Sequence, residues 1–134
     1  MKKILLYLLF LVSTIAAAQK SSELIDKNLK TDTLQLYKKN AHASYYHDKF
    51  NGKKTASGVR FDNDKLTAAH KKFPFGTKLK ITNEKNNKSV IVEVTDRGPF
   101  IKGREIDLSK KAFMDIASNK SSGAVIVKIE ELRK

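Results

Sequence analysis

Two runs of alternating residues, set on either side of a polar turn, constrain this chain more than any other feature. Residues 77–82 place Leu79 and Ile81 on one face and Lys78 and Lys80 on the other. Residues 89–95 place Val90, Val92 and Val94 on one face, opposite Ile91 and Glu93. A period of two marks a half-buried strand. The polar stretch 83–88 turns the chain, so the two runs predict an antiparallel hairpin whose second strand is partly buried on both sides. Residues 124–129 alternate in the same way, and 104–108 form a shorter strand. Residues 41–50 are an aromatic-rich strand ending at Asn51-Gly52, a strong hairpin signal. One helix interrupts the series: Ser109 is its N-cap, and Ala112, Phe113, Ile116 and Ala117 recur at helical spacing through about residue 118. Gly98-Pro99 and Gly123 break the chain around it. About six short strands and one helix predict a mainly β domain closed into a small barrel, because closure removes edges open to aggregation.

The N-terminus has a different texture. Lys2 and Lys3 precede an apolar run over residues 4–15, and Ala16-Ala17-Ala18 supplies the small residues a signal peptidase needs. The run is shorter than the roughly 20 residues required to span a bilayer. It reads as a signal peptide over 1–18, cut after Ala18. Residues 19–40 are polar, lysine-rich and weakly periodic and read as a linker, which leaves 41–134 as the folded domain. The chain has no cysteine. That excludes disulfides, thiolate zinc sites, a cysteine nucleophile and a lipidated N-terminal cysteine.

Charge narrows the partners. Lys and Arg number 27 against 14 Asp and Glu, a net charge of +13. Such a balance ordinarily points to nucleic acid, but export removes that partner. Anionic wall polymers and membrane surfaces remain, beside the plainer reading of a solvated lysine surface.

Candidates for chemistry are few. His42, His47 and His70 fall at no metal-ligand spacing, and no nucleophile elbow or phosphate loop occurs. The distinctive pieces are Thr67-Ala68-Ala69-His70, Thr95-Asp96-Arg97-Gly98-Pro99-Phe100 and Ile106-Asp107-Leu108-Ser109. Asp96 stands where a strand ends in a Gly-Pro turn. It is either a proton donor in a poorly solvated niche on a rigid support or a cap for the turn's backbone. His70 is either functional or a hydrogen-bonded core residue. Asp107 either acts at a site or stabilises the helix that follows it.

These pieces, together with Ala43-Ser44-Tyr45-Tyr46, Thr55-Ala56-Ser57-Gly58 and Pro74-Phe75-Gly76-Thr77, occur in an order that resembles the RlpA (rare lipoprotein A) family over roughly residues 41–130. The resemblance implies a six-stranded double-psi β-barrel. It also implies an endolytic lytic transglycosylase that cuts the β-1,4 bond between N-acetylmuramic acid and N-acetylglucosamine, leaving 1,6-anhydromuramyl ends. Asp96 matches the catalytic acid/base and His70 the essential groove histidine. Asp107, Tyr45, Tyr46 and Arg97 match substrate-binding positions. No metal or cofactor is implied. The partner is the peptidoglycan glycan strand, met by an exported monomer in the periplasm or outside the cell. One departure stands out: Val59 occupies a position where the family often has Glu. It keeps open a non-catalytic, expansin-like wall-binding module. A hydrolase using both Asp96 and Asp107 is a third reading.

The leader makes the first prediction. Protein purified from its native host begins at Gln19 and carries no lipid, and intact-mass analysis that finds residues 1–18 retained, or an acyl adduct, refutes this.

Overall fold

The computed structural model describes residues 32–134; the expected leader and the first part of the expected linker lie outside them. Six strands carry the fold: β1 (Thr33–Tyr45), β2 (Thr67–Ala69), β3 (Lys78–Asn83), β4 (Ser89–Asp96), β5 (Ile106–Leu108) and β6 (Val125–Arg133). One helix, α1 (Lys110–Ile116), follows β5. The strands close into a barrel in the order β1-β5-β2-β4-β3-β6. The predicted hairpin is β3–β4, antiparallel with Leu79 opposite Val92 and Ile81 opposite Val90. β1–β5 and β2–β4 run parallel, so distant segments of the chain cross the barrel to meet.

The alternation decides the inside. Leu79, Ile81, Val92, Val94, Ile106, Leu108, Val127 and Ile129 are all buried in one cluster. Where β1, β5 and β2 come together the inward residues include Ala41, Ala43 and Ala68, small enough for parallel segments to pass closely. Ser109 caps α1 by accepting from the Ala112 amide at 3.3 Å, and its hydroxyl donates to the Lys65 carbonyl. Ala112, Phe113 and Ile116 close one end of the core. Among the described residues no helix is long and apolar enough to cross a membrane.

Two expectations change. Thr33 to Asn40 is strand, not linker: β1 pairs with β6 from Thr33 opposite Arg133 to Ala43 opposite Val125. Its first eight residues are exposed; Leu34 and Leu36 alternate there but lie outside the core, and pairing with β6, with Tyr37 set against His70 and Phe73, makes the segment a strand. The strand at the other end stops at Tyr45, earlier than residue 50, and Asn51-Gly52 joins no pair of long strands. A single 3-10 turn at Asp48–Phe50 leads into a narrow loop, with the Gly52 amide donating to the Phe61 carbonyl and an isolated bridge between Lys54 and Arg60.

Phe113 is fully buried, with the Tyr45 ring 4.6 Å away centroid to centroid. Phe113→Ala therefore costs about 3–5 kcal/mol of stability, read as a lower denaturation midpoint in urea; a cost below about 1 kcal/mol would mean that α1 does not seal the core.

Candidate functional site

A one-residue irregularity creates the site. β2 and β4 pair Thr67 with Glu93 and Ala68 with Val94, but the next pair is Ala69 with Asp96, so Thr95 is skipped. Strand neighbours point to opposite faces, and an extra residue re-aims everything after it. Asp96 thereby joins the face of Ala69. Ala69 is also opposite Asp107 on β5, and Asp107 is opposite Ser44 on β1. Ser44, Asp107, Ala69 and Asp96 form one row on the outside of the barrel. The row beside it, Tyr45, Leu108, Ala68 and Val94, packs into the core. Two inter-strand steps separate the α-carbons of Asp96 and Asp107, about 10 Å.

Asp96 is held from three sides. Its Oδ1 accepts the amides of Ala56 and Arg97, each at 2.9 Å, and its Oδ2 accepts the Tyr46 hydroxyl at 2.6 Å. The Ala56 amide is presented by the loop over Thr55-Ala56-Ser57-Gly58, tied down by the Ser57 amide on the Thr95 carbonyl. Gly58 turns that loop with φ +92°. Tyr46 packs against Phe61 and Phe50. Burial first, then its bond to Asp96, pushes the phenol far above its ordinary range, so Tyr46 remains a donor. Asp96 is thus a cap of its own turn through Oδ1, while its Oδ2 meets Tyr46.

Asp107 accepts from Ser44 at 2.7 Å and from Arg104 through Nε and a terminal nitrogen, at 3.2 and 2.6 Å. All three bonds fall on Oδ1. Beside it a cleft of about 440 Å³ is lined by Tyr46, His47, Lys49, Phe50, Ile101 and Arg104, among others. Phe100, which precedes Ile101 in the chain, is 82% exposed, an apolar surface that the barrel core does not use.

The remaining expected residues are placed differently. The His70 side chain is almost wholly buried, and its ring bonds to neither Asp96 nor the open cleft. Nδ1 accepts the Lys72 amide at 3.1 Å, which leaves Nε2 to donate to Glu105 at 3.0 Å. Tyr37 and Phe73 enclose the ring. Burial lowers the histidine's affinity for a proton, more than Glu105 restores it. His70 reaches Asp96 only through the backbone, its amide donating to the Asp96 carbonyl at 3.2 Å. Arg97 is likewise turned from the expected substrate: its guanidinium donates to the Phe73 and His70 carbonyls and stacks on Phe75 at 3.9 Å. Tyr45 packs its ring on Phe113, with one edge left at the cleft. Both residues brace the site. Glu105 was missed by the sequence reading. It bridges His70 and Lys38, each at 3.0 Å, and only its spacing of two from Asp107 hinted at it. Among the described residues no group of three or more His, Asp or Glu stands close enough to hold a metal ion.

A closed barrel of this pairing, with a carboxylate row outside it, defines a class, and comparison with known proteins agrees. Residues 38–129 match a family of double-psi β-barrels described as lytic transglycolase. The endolytic peptidoglycan transglycosylase RlpA of Rickettsia felis is 46% identical over 116 residues, covering 84% of this chain and 50% of that protein. The protein of the same name from Pasteurella multocida is 50% identical over 80 residues, 60% of this chain and 27% of that one. The chain therefore spans half or less of the length of these relatives. Among solved structures, an expansin from Clavibacter michiganensis superposes with a TM-score of 0.56 at 21% identity, covering 72% of this chain and 50% of its own. A Streptomyces papain inhibitor superposes at 0.54 and 20% identity, covering 80% and 98%. These two share the fold. The chain is a double-psi β-barrel and belongs to the RlpA family.

The His70–Glu105 pair sets a pH dependence. The folded state holds His70 below its ordinary value of 6.5, so the unfolded chain binds the extra proton. Stability from this group is complete above pH 6.5 and is lost as pH falls through and below it. Glu105, also lowered from 4.5 by Lys38 and His70 despite its partial burial, adds a loss of the same sign at more acid pH. Urea unfolding at pH 7.5 and 5.5 therefore shows lower stability at the acid end, and His70→Gln flattens that slope; an unchanged slope in the variant would assign it elsewhere.

Proposed function

We propose that this chain is an endolytic lytic transglycosylase of peptidoglycan, exported to the periplasm or cell exterior, with Asp96 as its single acid/base. One observation carries the reading: of the two carboxylates in the outer row, Asp96 is held by two backbone amides and the Tyr46 hydroxyl with no cation on it among the described residues, whereas Asp107 is ion-paired with Arg104 at 2.6 Å. Oδ1 has both lone pairs occupied by amides, while Oδ2 meets only Tyr46. The remaining lone pair of Oδ2 is the position from which the carboxyl, when protonated, gives its proton away. That proton passes to the glycosidic oxygen between N-acetylmuramic acid and N-acetylglucosamine as that bond breaks. Oδ2 then takes the proton of the muramyl C6 hydroxyl, whose oxygen bonds to C1 and closes the 1,6-anhydro ring. The carboxyl ends as it began, and no water is consumed. Tyr46 holds the carboxyl plane through both transfers, and the backbone bonds of His70 and Arg97 hold the strand end that carries it.

Asp107 fits poorly as a second catalytic carboxylate. Arg104 and Ser44 both bond its Oδ1, and the Arg104 guanidinium pairs with it at 2.6 Å. Asp107 serves better in holding the Arg104 side of the cleft in shape for the sugar. A second reading, the expansin-like module that binds without cutting, is favoured by Val59, which is 55% exposed beside the loop that feeds Asp96 an amide.

Digestion of purified sacculi separates the readings. Asp96→Asn stays folded, still sediments with peptidoglycan, and loses anhydro-muropeptide formation by about 10²–10⁴-fold. Asp107→Asn keeps substantial activity. Wild-type rates from Asp96→Asn would reduce that residue to a turn cap, reducing ends in place of anhydro ends would indicate a hydrolase, and sedimentation without products would indicate the binding module.

A further inference from the structure

The outward residues at the end of β1, and Tyr46 just after it, run past the site. His42, Ser44 and Tyr46 share one face, each pair roughly 7 Å apart along the strand. Tyr46 bonds Asp96 and Ser44 bonds Asp107. His42 carries the strip into a second cleft of about 550 Å³, walled by Ile126, Ala124, Asn119, Glu84 and Lys85 among others. Ile126 is paired with His42 across β1–β6 and is 41% exposed. The two clefts adjoin at one turn, Gly123 bordering the first and Ser122 and Ala124 the second. His42 Nδ1 is shut from solvent and has no hydrogen-bond partner among the described residues, an arrangement that asks for an explanation in a native structure.

We propose that the His42 cleft is a distal subsite for the same glycan strand, taking an N-acetylated sugar several units away from the bond at Asp96. This rests on the glycan-cleaving reading above, and continuity with that cleft names the occupant. Tyr46 to His42 is about 13 Å, a span that only a strand of several sugars covers. Ile126 and Ala124 present an apolar surface for the C–H face of a sugar or an acetamido methyl. Asn119 and Ser122 stand at its rim, where the Ser122 hydroxyl, already donating to the Asn119 and Ala124 carbonyls, is left to accept, and His42 lines the wall with the part of its ring away from the sealed Nδ1. Glu84 and Lys85 offset each other, so the cleft has no surplus of charge from this pair to demand an anionic peptide.

The test uses Asp96→Asn so that strands survive, with stem-peptide-free glycan fractionated to four sugars and to ten or more. The long strands shift the His42 ring signals in NMR spectra and bind about tenfold tighter than the short ones. Adding His42→Ala with Ile126→Thr removes that length advantage and leaves four-sugar binding as it was. Equal weakening for both lengths, or long-strand binding unaffected by the pair of changes, overturns the proposal. So does a His42 shift that appears only with strands still bearing stem peptides. Because the readout is binding, a failed cleavage assay with intact length-dependent binding counts against the transglycosylase reading and leaves the subsite standing.

Discussion

The skipped residue at Thr95 is the constraint on which the site depends. In a regular parallel ladder Thr95 would pair with Ala69 and Asp96 would turn to the core face of the sheet, away from Asp107 and from the loop that caps it. The bulge puts Asp96, Ala69 and Asp107 in one row. It can do so because β2–β4 is a crossing parallel pair, closed on its far side by β5. A barrel surrounds this irregularity with paired strands, and the buried apolar row of Tyr45, Leu108, Ala68 and Val94 resists its relaxation. The two carboxylates therefore sit on a rigid support, with Ala69 small enough not to fill the space between them.

Around that row the polar side chains divide into layers. Tyr46, the Ala56 amide and the Arg97 amide hold Asp96, and Ser44 and Arg104 hold Asp107. Behind them His70 and Glu105 form a bonded pair in an aromatic pocket. A buried polar group without a partner is costly, and here each ring nitrogen of His70 has one. Loss of His70 activity in a variant would therefore report a displaced β2–β4 edge as readily as a lost contact to substrate. The Arg97 guanidinium is similar: two backbone carbonyls and the face of Phe75 absorb it, leaving its amide as the contact with Asp96.

The alternating residues of β3, β4 and β6 and the Ser109 cap were legible because their energetics are local: a period of two or 3.6 decides which side meets the core. The motifs around Asp96, Asp107 and His70 marked segments that the barrel brings side by side. The sequence did not mark residues 33–40 as the start of β1, since Leu34 and Leu36 alternate over too short a stretch to be told from a linker and their pairing with β6 is long-range. It could not show Glu105 as the partner of His70, because they stand 35 positions apart and meet through β5 and β2. Nor could it rank Tyr46 above Tyr45. One residue of register sends Tyr45 to Phe113 and Tyr46 to Asp96. Local pattern determined the strands, the helix and the candidate residues. Long-range pairing decided which of them share a face, because the skip at Thr95 exists only once β2 and β4 are side by side.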